Sequence, residues 1–571
     1  EIAEQLKYFL QTVASEVELV SFPEARHSIT SFLGRFTWVI ALLPHQDSDK
    51  MFGQQSLLEH VTRLHTIFSP AFLENGSENQ LLAVVQFADG FFGEGPDAVD
   101  TRRCSAKALA ASLHLEQPDL RVRVLDFAPQ IPVAQLCTSI MAELSIPEHY
   151  AAVGYAADQV RRVPRPVLRN IAADQPRPIR WSPKDVVLAT GGAKGITAEC
   201  VLAFARSTGV QLALVGSSSP ALRNEQHDEI LHTLKRANEA GLFAHYYQCD
   251  VTDAEAVRRL VRQVENEQGR ITGVIHGSAL NRPADLRSVS VEQALDEISP
   301  KVLGAINLCA ALRTNPPRLF MAFSSIIGIS GMRHNGWYGF SNEVLHLFLR
   351  QYAQAEPRTA ILSIAYSIWD EVGMGVRMGS TAWLAKMGIE PLSAQQGTSR
   401  FLRLATHDPG TDQVIVTART AGLDTFFARS SALPQGLRFI DKVMVYQPGV
   451  EIVTKTRLTL EDDPYIRDHC WRGTYLFPLV FGLEAMAQAV RVITGRVCFD
   501  TVCIEDIELA RPIIISEEKG EEIEIHALVL EQNALRPGLA VQVQIRTAQT
   551  DFSRERFWQH LSSKVRAPQS S

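Results

Sequence analysis

No CxxC or CxxH pair occurs in the 571 residues, and the eight cysteines are scattered. That spacing excludes a thiolate metal site and argues for reduced thiols rather than a disulfide framework. No metal ligand set is assigned. Long apolar runs are also absent: the longest, FTWVIALLP (36–44), is far short of the roughly 20 residues that span a bilayer. No secretory signal is visible. An excess of basic charge is lacking too. The formal charge is −7, which argues against nucleic acid or an anionic membrane as a partner. A cytoplasmic location is expected. What is present is an ordinary globular composition, 46% hydrophobic and 21% charged, at a length that suggests about three or four domains. The chain starts on Glu1, not Met, and reads as a piece of a longer polypeptide.

Residues 1–30 read as a helix plus connector. From 31 to 171, short apolar runs alternate with helical stretches: FTWVIALL, LLAVVQFA and LRVRVLDF predict the strands of a βαβ sheet. The first strand-to-helix turns lack a glycine-rich phosphate cradle, so no nucleotide is expected there. Three prolines within AADQPRPIRWSPKD mark 172–185 as a linker. A second alternating segment follows, 186–433. Beyond it, 434–571 changes texture: long strands such as EEIEIHALVLEQ and one clear helix near 480–493 predict an α+β domain.

DVVLATGGAKGITAECVLAFA (185–205) reads as buried strand, glycine turn and helix. Gly191 and Gly192 permit a tight turn and close backbone approach. Gly195 lets the helix start press on a pyrophosphate, where free N–H groups and the helix dipole favour anions. Thr190, Lys194 and Ile196 complete this turn. Ser217 follows the second strand, VQLALVG; Asp250 and Val251 follow the third; Ser278 lies in the small-residue turn after the fourth, VIHGSA. These are the expected contacts of a dinucleotide. An acid at the end of the second strand would repel a 2′-phosphate. Gly216-Ser217-Ser218 carries none, and Lys194 supplies positive charge, which favours NADPH over NADH.

Tyr338 opens an amphipathic stretch, YGFSNEVLHLFLRQYAQ. A phenol at such a place, followed four residues later by a lysine, would deliver a proton to a carbonyl that is being reduced. Here the fourth residue is Asn342. Lys301, in PKVLGAINL, can supply the ammonium from another helix and lower the phenol pKa, and the chemistry also needs a hydroxyl to hold the carbonyl oxygen.

Lys301, Ser325, Tyr338 and Asn342, at spacings of 24, 13 and 4 residues, resemble the ketoreductase domains of polyketide and fatty acid synthases. The resemblance implies that Ser325 and Tyr338 hold and protonate the carbonyl, while Lys301 and Asn342 tune and relay. SIWDEVGMG (367–375) resembles the loop that closes over nicotinamide and substrate. The stretches 89–127 and 153–163 look like the truncated Rossmann-like structural subdomain that precedes the catalytic Rossmann-like one, of short-chain dehydrogenase type. On that likeness 31–171 braces 186–433. HGSALNRPADL (276–286) and SSIIGISGMRHNGWYG (324–339) look closest to iterative synthases of the enediyne and polyunsaturated fatty acid type. Asn281-Arg282 stands where modular enzymes often carry an aspartate pair, so no alcohol configuration is assigned.

DHCWRGTYLFPLVFGLEAMAQAV (468–490) contains HxxxGxxxxP at His469, Gly473 and Pro478, which resembles the hot-dog dehydratases of the same synthases. Dehydration of a β-hydroxyacyl thioester needs a base for the α-proton and an acid for the departing hydroxyl. The resemblance implies His469 for one role. Glu484, on an otherwise apolar helix, is the candidate for the other; it alternatively serves a structural hydrogen bond at a dimer seam. Residues 434–571 have room for a single hot dog, so either two chains pair or a second hot dog lies elsewhere in the parent polypeptide. The family likeness further implies an acyl carrier protein with its phosphopantetheine arm as partner, other synthase domains alongside, and a homodimer through the hot-dog domain.

Overall fold

The computed structural model describes residues 2–14, 16–22, 36–44, 52–69, 80–96, 99–169, 174–219, 225–379, 384, 389–420, 425, 436–495, 503–509, 511–530, 539–548 and 561–567. The expected boundary at 433/434, residues 23–30 of the connector and 172–173 of the linker lie outside them. The described residues divide into two compact units. One draws on Glu1–Pro164, Pro176–Thr381 and Pro391–Thr417, the other on Arg165–Gln175, Ala382–Glu390 and Ala418–Ser571.

The first unit holds two sheets. Strands β1 (Trp38–Leu42), β2 (Leu81–Gln86), β3 (Arg121–Phe127), β4 (Tyr150–Tyr155) and β5 (Arg161–Arg162) pair in that order, parallel up to β4 and antiparallel at β5. β2 is buried at every residue, as a strand covered on both faces must be. Helices α1 (Ile2–Leu10), α2 (Gln54–Phe68), α3 (Lys107–Glu116) and α4 (Val133–Ser145) accompany this sheet.

The second sheet has seven parallel strands: β6 (Val186–Thr190), β7 (Gln211–Gly216), β8 (Ala244–Gln248), β9 (Ile271–His276), β10 (Leu319–Ser325), β11 (Ala360–Tyr366) and β12 (Gln413–Val416). Their order is β12-β11-β10-β9-β6-β7-β8. Chain direction across the sheet reverses between β9 and β6, so ligands are expected beyond the carboxyl ends of those two strands. The helices are α5 (Gly195–Thr208), α6 (Glu225–Glu239), α7 (Ala254–Glu267), α8 (Val291–Ala311), α9 (Gly336–Ala355) and α10 (Ala394–Thr406). α8 starts on a reciprocal Ser290–Gln293 capping box, and the Asp253 carboxylate caps α7.

α9 carries Tyr338 and is buried along most of its length. A helix buried on most of its surface needs cover from more than one layer, and the first sheet's layer supplies part of it. Glu343 accepts from the backbone N–H of Ala108, at the start of α3, at 2.9 Å. At the other end of α3, Glu116 accepts from the N–H groups of Leu286 and His334, both at 3.1 Å. α3 is thus pinned at both ends to segments that flank the second sheet's cavity.

The second unit is a six-stranded antiparallel sheet with one helix on it. Strands β13 (Lys442–Gln447), β14 (Glu451–Leu458), β15 (Cys503–Leu509), β16 (Glu521–Val529), β17 (Leu539–Thr547) and β18 (Leu561–Ala567) run in the order β13-β14-β16-β17-β18-β15. Burial alternates along β16 with the period of two that a half-covered strand requires. Helix α11 (Leu479–Thr494) buries Ala485, Met486, Ala489 and Val490 in the cluster that includes Ile523, Ile525 and Ile545. One helix wrapped by a curved antiparallel sheet is the hot-dog arrangement.

Candidate active site

A cavity of about 670 Å³ opens at the carboxyl ends of β6 and β9. The turn after β6 forms one wall. Gly191 sits at φ +65°, and a Cβ there would lie 2.9 Å from the Gly277 carbonyl carbon and oxygen. A side chain at 191 would therefore fill the cradle, and the bare backbone fits close approach by a pyrophosphate. Lys194, Gly195 and Ile196 line the same wall; Ser217, Asp250, Val251 and Ser278 line it further round. Thr190 and Gly192 lie behind this surface, buried. Lys194 Nζ donates to Ser218 Oγ at 2.9 Å, which sets an ammonium beside the acid-free end of β7. Asp250 turns back on its own loop and accepts from the Thr252 N–H at 2.9 Å.

Lys301 and Tyr338 line this cavity from α8 and α9. Lys301 Nζ donates to the Phe323 carbonyl at 2.8 Å and lies 5.6 Å from the Tyr338 ring centroid. Ser325, at the end of β10, and Asn342, one turn along α9, both lower the pKa of the Tyr338 phenol from close by. The four residues of the spacing argument are therefore gathered at one place. Burial decides their acidity. It drives the Lys301 ammonium down to about 7. It lifts the Tyr338 phenol to about 12, against the lowering influence of Asn342 and Ser325. The phenol is therefore raised, not lowered as expected from the lysine: desolvation is the largest influence on it. Asn342 Nδ2 donates to the Tyr338 carbonyl at 2.7 Å, and its Oδ1 is buried with no hydrogen-bond partner.

The segment after β11 supplies the far wall with Gly373, Met374 and Arg377. Arg377 pairs with Glu229 of α6 at 3.2 Å. Arg377 escaped the sequence reading because it falls just past the loop motif. His276 escaped it as well: a lone histidine inside an apolar strand was the available signal. Its ring lies 2.7 Å from both Thr190 Oγ1 and the Lys301 carbonyl.

In the second unit, Arg472 (φ +50°) and Gly473 (φ +78°) form the two-residue turn between the short strands Cys470–Trp471 and Thr474–Leu476. Two successive positive φ values mark a tight hairpin, which is why glycine stands at 473. Pro478 caps α11. His469 precedes the hairpin, exposed, with its carbonyl accepting from Leu476 N–H at 3.1 Å. Glu484 is exposed on α11, where Gln488 Nε2 donates to it at 2.9 Å. Among the described residues no hydrogen bond or ion pair joins His469 to Glu484.

Comparison with known proteins matches residues 186–371 to the KR domain family and residues 442–547 to the polyketide synthase dehydratase domain family. The polyketide synthase PksL of Bacillus subtilis (strain 168) is 28% identical over 254 residues, 44% of this chain and 5% of that protein. The pikromycin polyketide synthase component PikAIII of Streptomyces venezuelae is 27% identical over 312 residues, 54% of this chain and 19% of that protein. The chain thus spans less than a fifth of the length of these relatives. Among solved structures, a keto acid-selecting NRPS module with adenylation, ketoreductase and pseudo Asub domains aligns at TM-score 0.61, 19% identity, 76% of this chain and 38% of that one. A C2-type ketoreductase from a modular polyketide synthase aligns at TM-score 0.56, 20% identity, 74% of this chain and 90% of that one. These two likenesses concern the fold. Two family matches in this order, on the sheets described above, support a ketoreductase–dehydratase region of a type I polyketide synthase.

Proposed function

We propose that this region reduces a β-ketoacyl thioester, carried on the phosphopantetheine arm of an acyl carrier protein, to the β-hydroxyacyl thioester with NADPH, and that its hot-dog domain serves the following dehydration. The observation that carries the first half is the meeting of Lys301 and Tyr338 with the glycine turn on one cavity, with Ser325 and Asn342 beside the phenol. The cofactor, when bound, supplies the hydride. The chain's own groups do the rest. The Ser325 and Tyr338 hydroxyls hold the carbonyl oxygen. A phenol near 12 is protonated at neutral pH and so stands ready as donor. An ammonium near 7 gives up its proton readily at neutral pH, so Lys301 is the source of the proton that turns the phenolate back into the phenol, while Asn342 Oδ1, which only accepts, orients a donor beside it.

NADPH is favoured over NADH by the neutral end of β7 and the Lys194–Ser218 contact. The iterative, enediyne- or polyunsaturated-fatty-acid-like assignment rests on 276–286 and 324–339 alone. For dehydration, His469 takes the α-proton and a carboxyl group, Glu484 or one from another hot dog, protonates the departing hydroxyl. A second reading is ketoreduction without dehydration by this region alone. It is favoured by the exposure of both His469 and Glu484 and the lack of a bond between them. A homodimer through the hot-dog domain would supply a second face.

Incubation with a β-ketoacyl N-acetylcysteamine thioester, with NADPH or NADH, tests the assignment. Oxidation of NADPH with formation of the hydroxyacyl thioester supports it, and loss of water from that product separates the two readings. Intact NADPH and unchanged thioester would defeat it.

A further inference from the structure

His276 ends β9 and is fully buried. A strand with both faces covered ordinarily carries aliphatic residues there, so an imidazole needs a reason. Its two nitrogens have different partners. Nε2 is 2.7 Å from the Lys301 carbonyl oxygen. A carbonyl only accepts, so Nε2 carries the proton. Nδ1, 2.7 Å from Thr190 Oγ1, then accepts from that hydroxyl. Thr190 Oγ1 accepts in turn from the Ser278 N–H at 3.4 Å. A directional chain therefore runs from the nicotinamide-side turn, through the last residue of β6, to the turn of α8 that carries the lysine. Burial keeps the ring neutral, with its pKa lowered to about 4.

The surroundings are fitted to the ring. A Cβ on Gly304 would come within 3.1 Å of His276 Cε1, so α8 leaves room for it. Pro300 immediately precedes Lys301 and has no N–H, so α8 lacks the rung that would reach back to the Asp296 carbonyl. The bond from His276 holds the helix at the Lys301 carbonyl, just after that break. At the other end of the residue, Nζ is held by the Phe323 carbonyl. Lys301 is thus fixed at both ends, and only the His276 end is tied to the cofactor turn.

We propose that His276 is a positioning residue for ketoreduction, holding the Lys301 turn in register with Thr190 and the glycine cradle. The role rests on the ketoreductase reading of the cavity. Displacement of a positioned group by about 1 Å can cost about a hundredfold in rate. Three variants test it. His276→Gln places an amide N–H near the Nε2 position and keeps the bond to Lys301. His276→Asn places it near Nδ1 and keeps only the Thr190 side. His276→Phe keeps the ring and loses both. The expected result is a fall in kcat of about ten- to a hundredfold for His276→Asn and His276→Phe, NADPH affinity by fluorescence within about twofold of the parent, and most of the rate restored in His276→Gln. Hydrogen–deuterium exchange across 298–308 should rise in the Asn and Phe variants and not in the Gln variant. This arm does not depend on turnover, so it stands even where the parent chain reduces no thioester and the ketoreductase reading itself fails. Equal rates and equal exchange in the Gln and Asn variants would overturn the proposal, and that comparison remains decisive if His276→Phe does not fold.

Discussion

Lys301 Nζ stands 5.6 Å from the centre of the Tyr338 ring yet gives its hydrogen bond to the Phe323 carbonyl, 2.8 Å away. The amine is buried against the phenol, and among the described residues no acid forms an ion pair with it. A cation in that position is a cost to folding retained for chemistry.

Lys301→Met should therefore stabilise the fold while removing activity. The folded amine titrates near 7, below its value in an unfolded chain. The unfolded state binds more protons between those two values, so stability rises with pH across that interval. The gain from Lys301→Met should be largest below pH 7 and shrink towards pH 10. Thermal melts at pH 6 and pH 9 check it; a rise of several degrees at pH 6 is the expected size. A lower melting temperature at pH 6 would contradict the account of a desolvated ammonium.

Glu343 gives the opposite slope. Burial lifts its carboxyl to about 7 despite Lys107 and the Ala108 N–H. A raised acid means the folded state holds the proton longer, so stability falls as pH rises from the usual carboxylate range through 7. Glu343→Gln keeps the shape and removes the ionisation. Its melting temperature should match the parent near pH 4 and exceed it by a few degrees at pH 8, as calorimetry can show. Equal pH profiles would place the Glu343 proton elsewhere.

Lys194→Ala should discriminate between the two nicotinamide cofactors. Loss of the ammonium beside Ser218 should weaken NADPH about tenfold or more and leave NADH within about twofold, since only one carries the 2′-phosphate. Titration of cofactor fluorescence is the measurement. A uniform loss for both would assign Lys194 to the pyrophosphate instead.

His469→Ala should leave NADPH oxidation intact and abolish water loss from the hydroxyacyl thioester, read by mass spectrometry of the products. Retained dehydration would remove His469 from that chemistry.

Much of the first unit was legible because its signals are local. A buried strand, a glycine turn and a helix follow one another within 185–205, and the turn needs its glycines for reasons of backbone space. Lys301, Ser325, Tyr338 and Asn342 were legible as a set of spacings across three elements. Their acidity was not, because burial, the largest influence on Tyr338, is a property of the packed helices α8 and α9. His276 was hidden for a related reason. Its partners Thr190 and Lys301 are 86 and 25 residues away in sequence, and only the β6–β9 pairing brings the first of them near. The Glu116 and Glu343 clamps span still larger separations, 170 and 235 residues, so a bracing role could be expected for the first sheet while the residues performing it could not. In the second unit, the strands Cys470–Trp471 and Thr474–Leu476 are too short for a periodic pattern, and Gly473 was the sole mark of their hairpin.

The most direct test compares the parent chain with Tyr338→Phe in NADPH oxidation driven by a β-ketoacyl N-acetylcysteamine thioester. The phenol is the only proton donor the account places against the carbonyl oxygen, so kcat should fall by about a hundredfold or more while NADPH affinity stays within about twofold. A Tyr338→Phe variant that turns over at the parent rate would contradict the assignment of this cavity as a ketoreductase site.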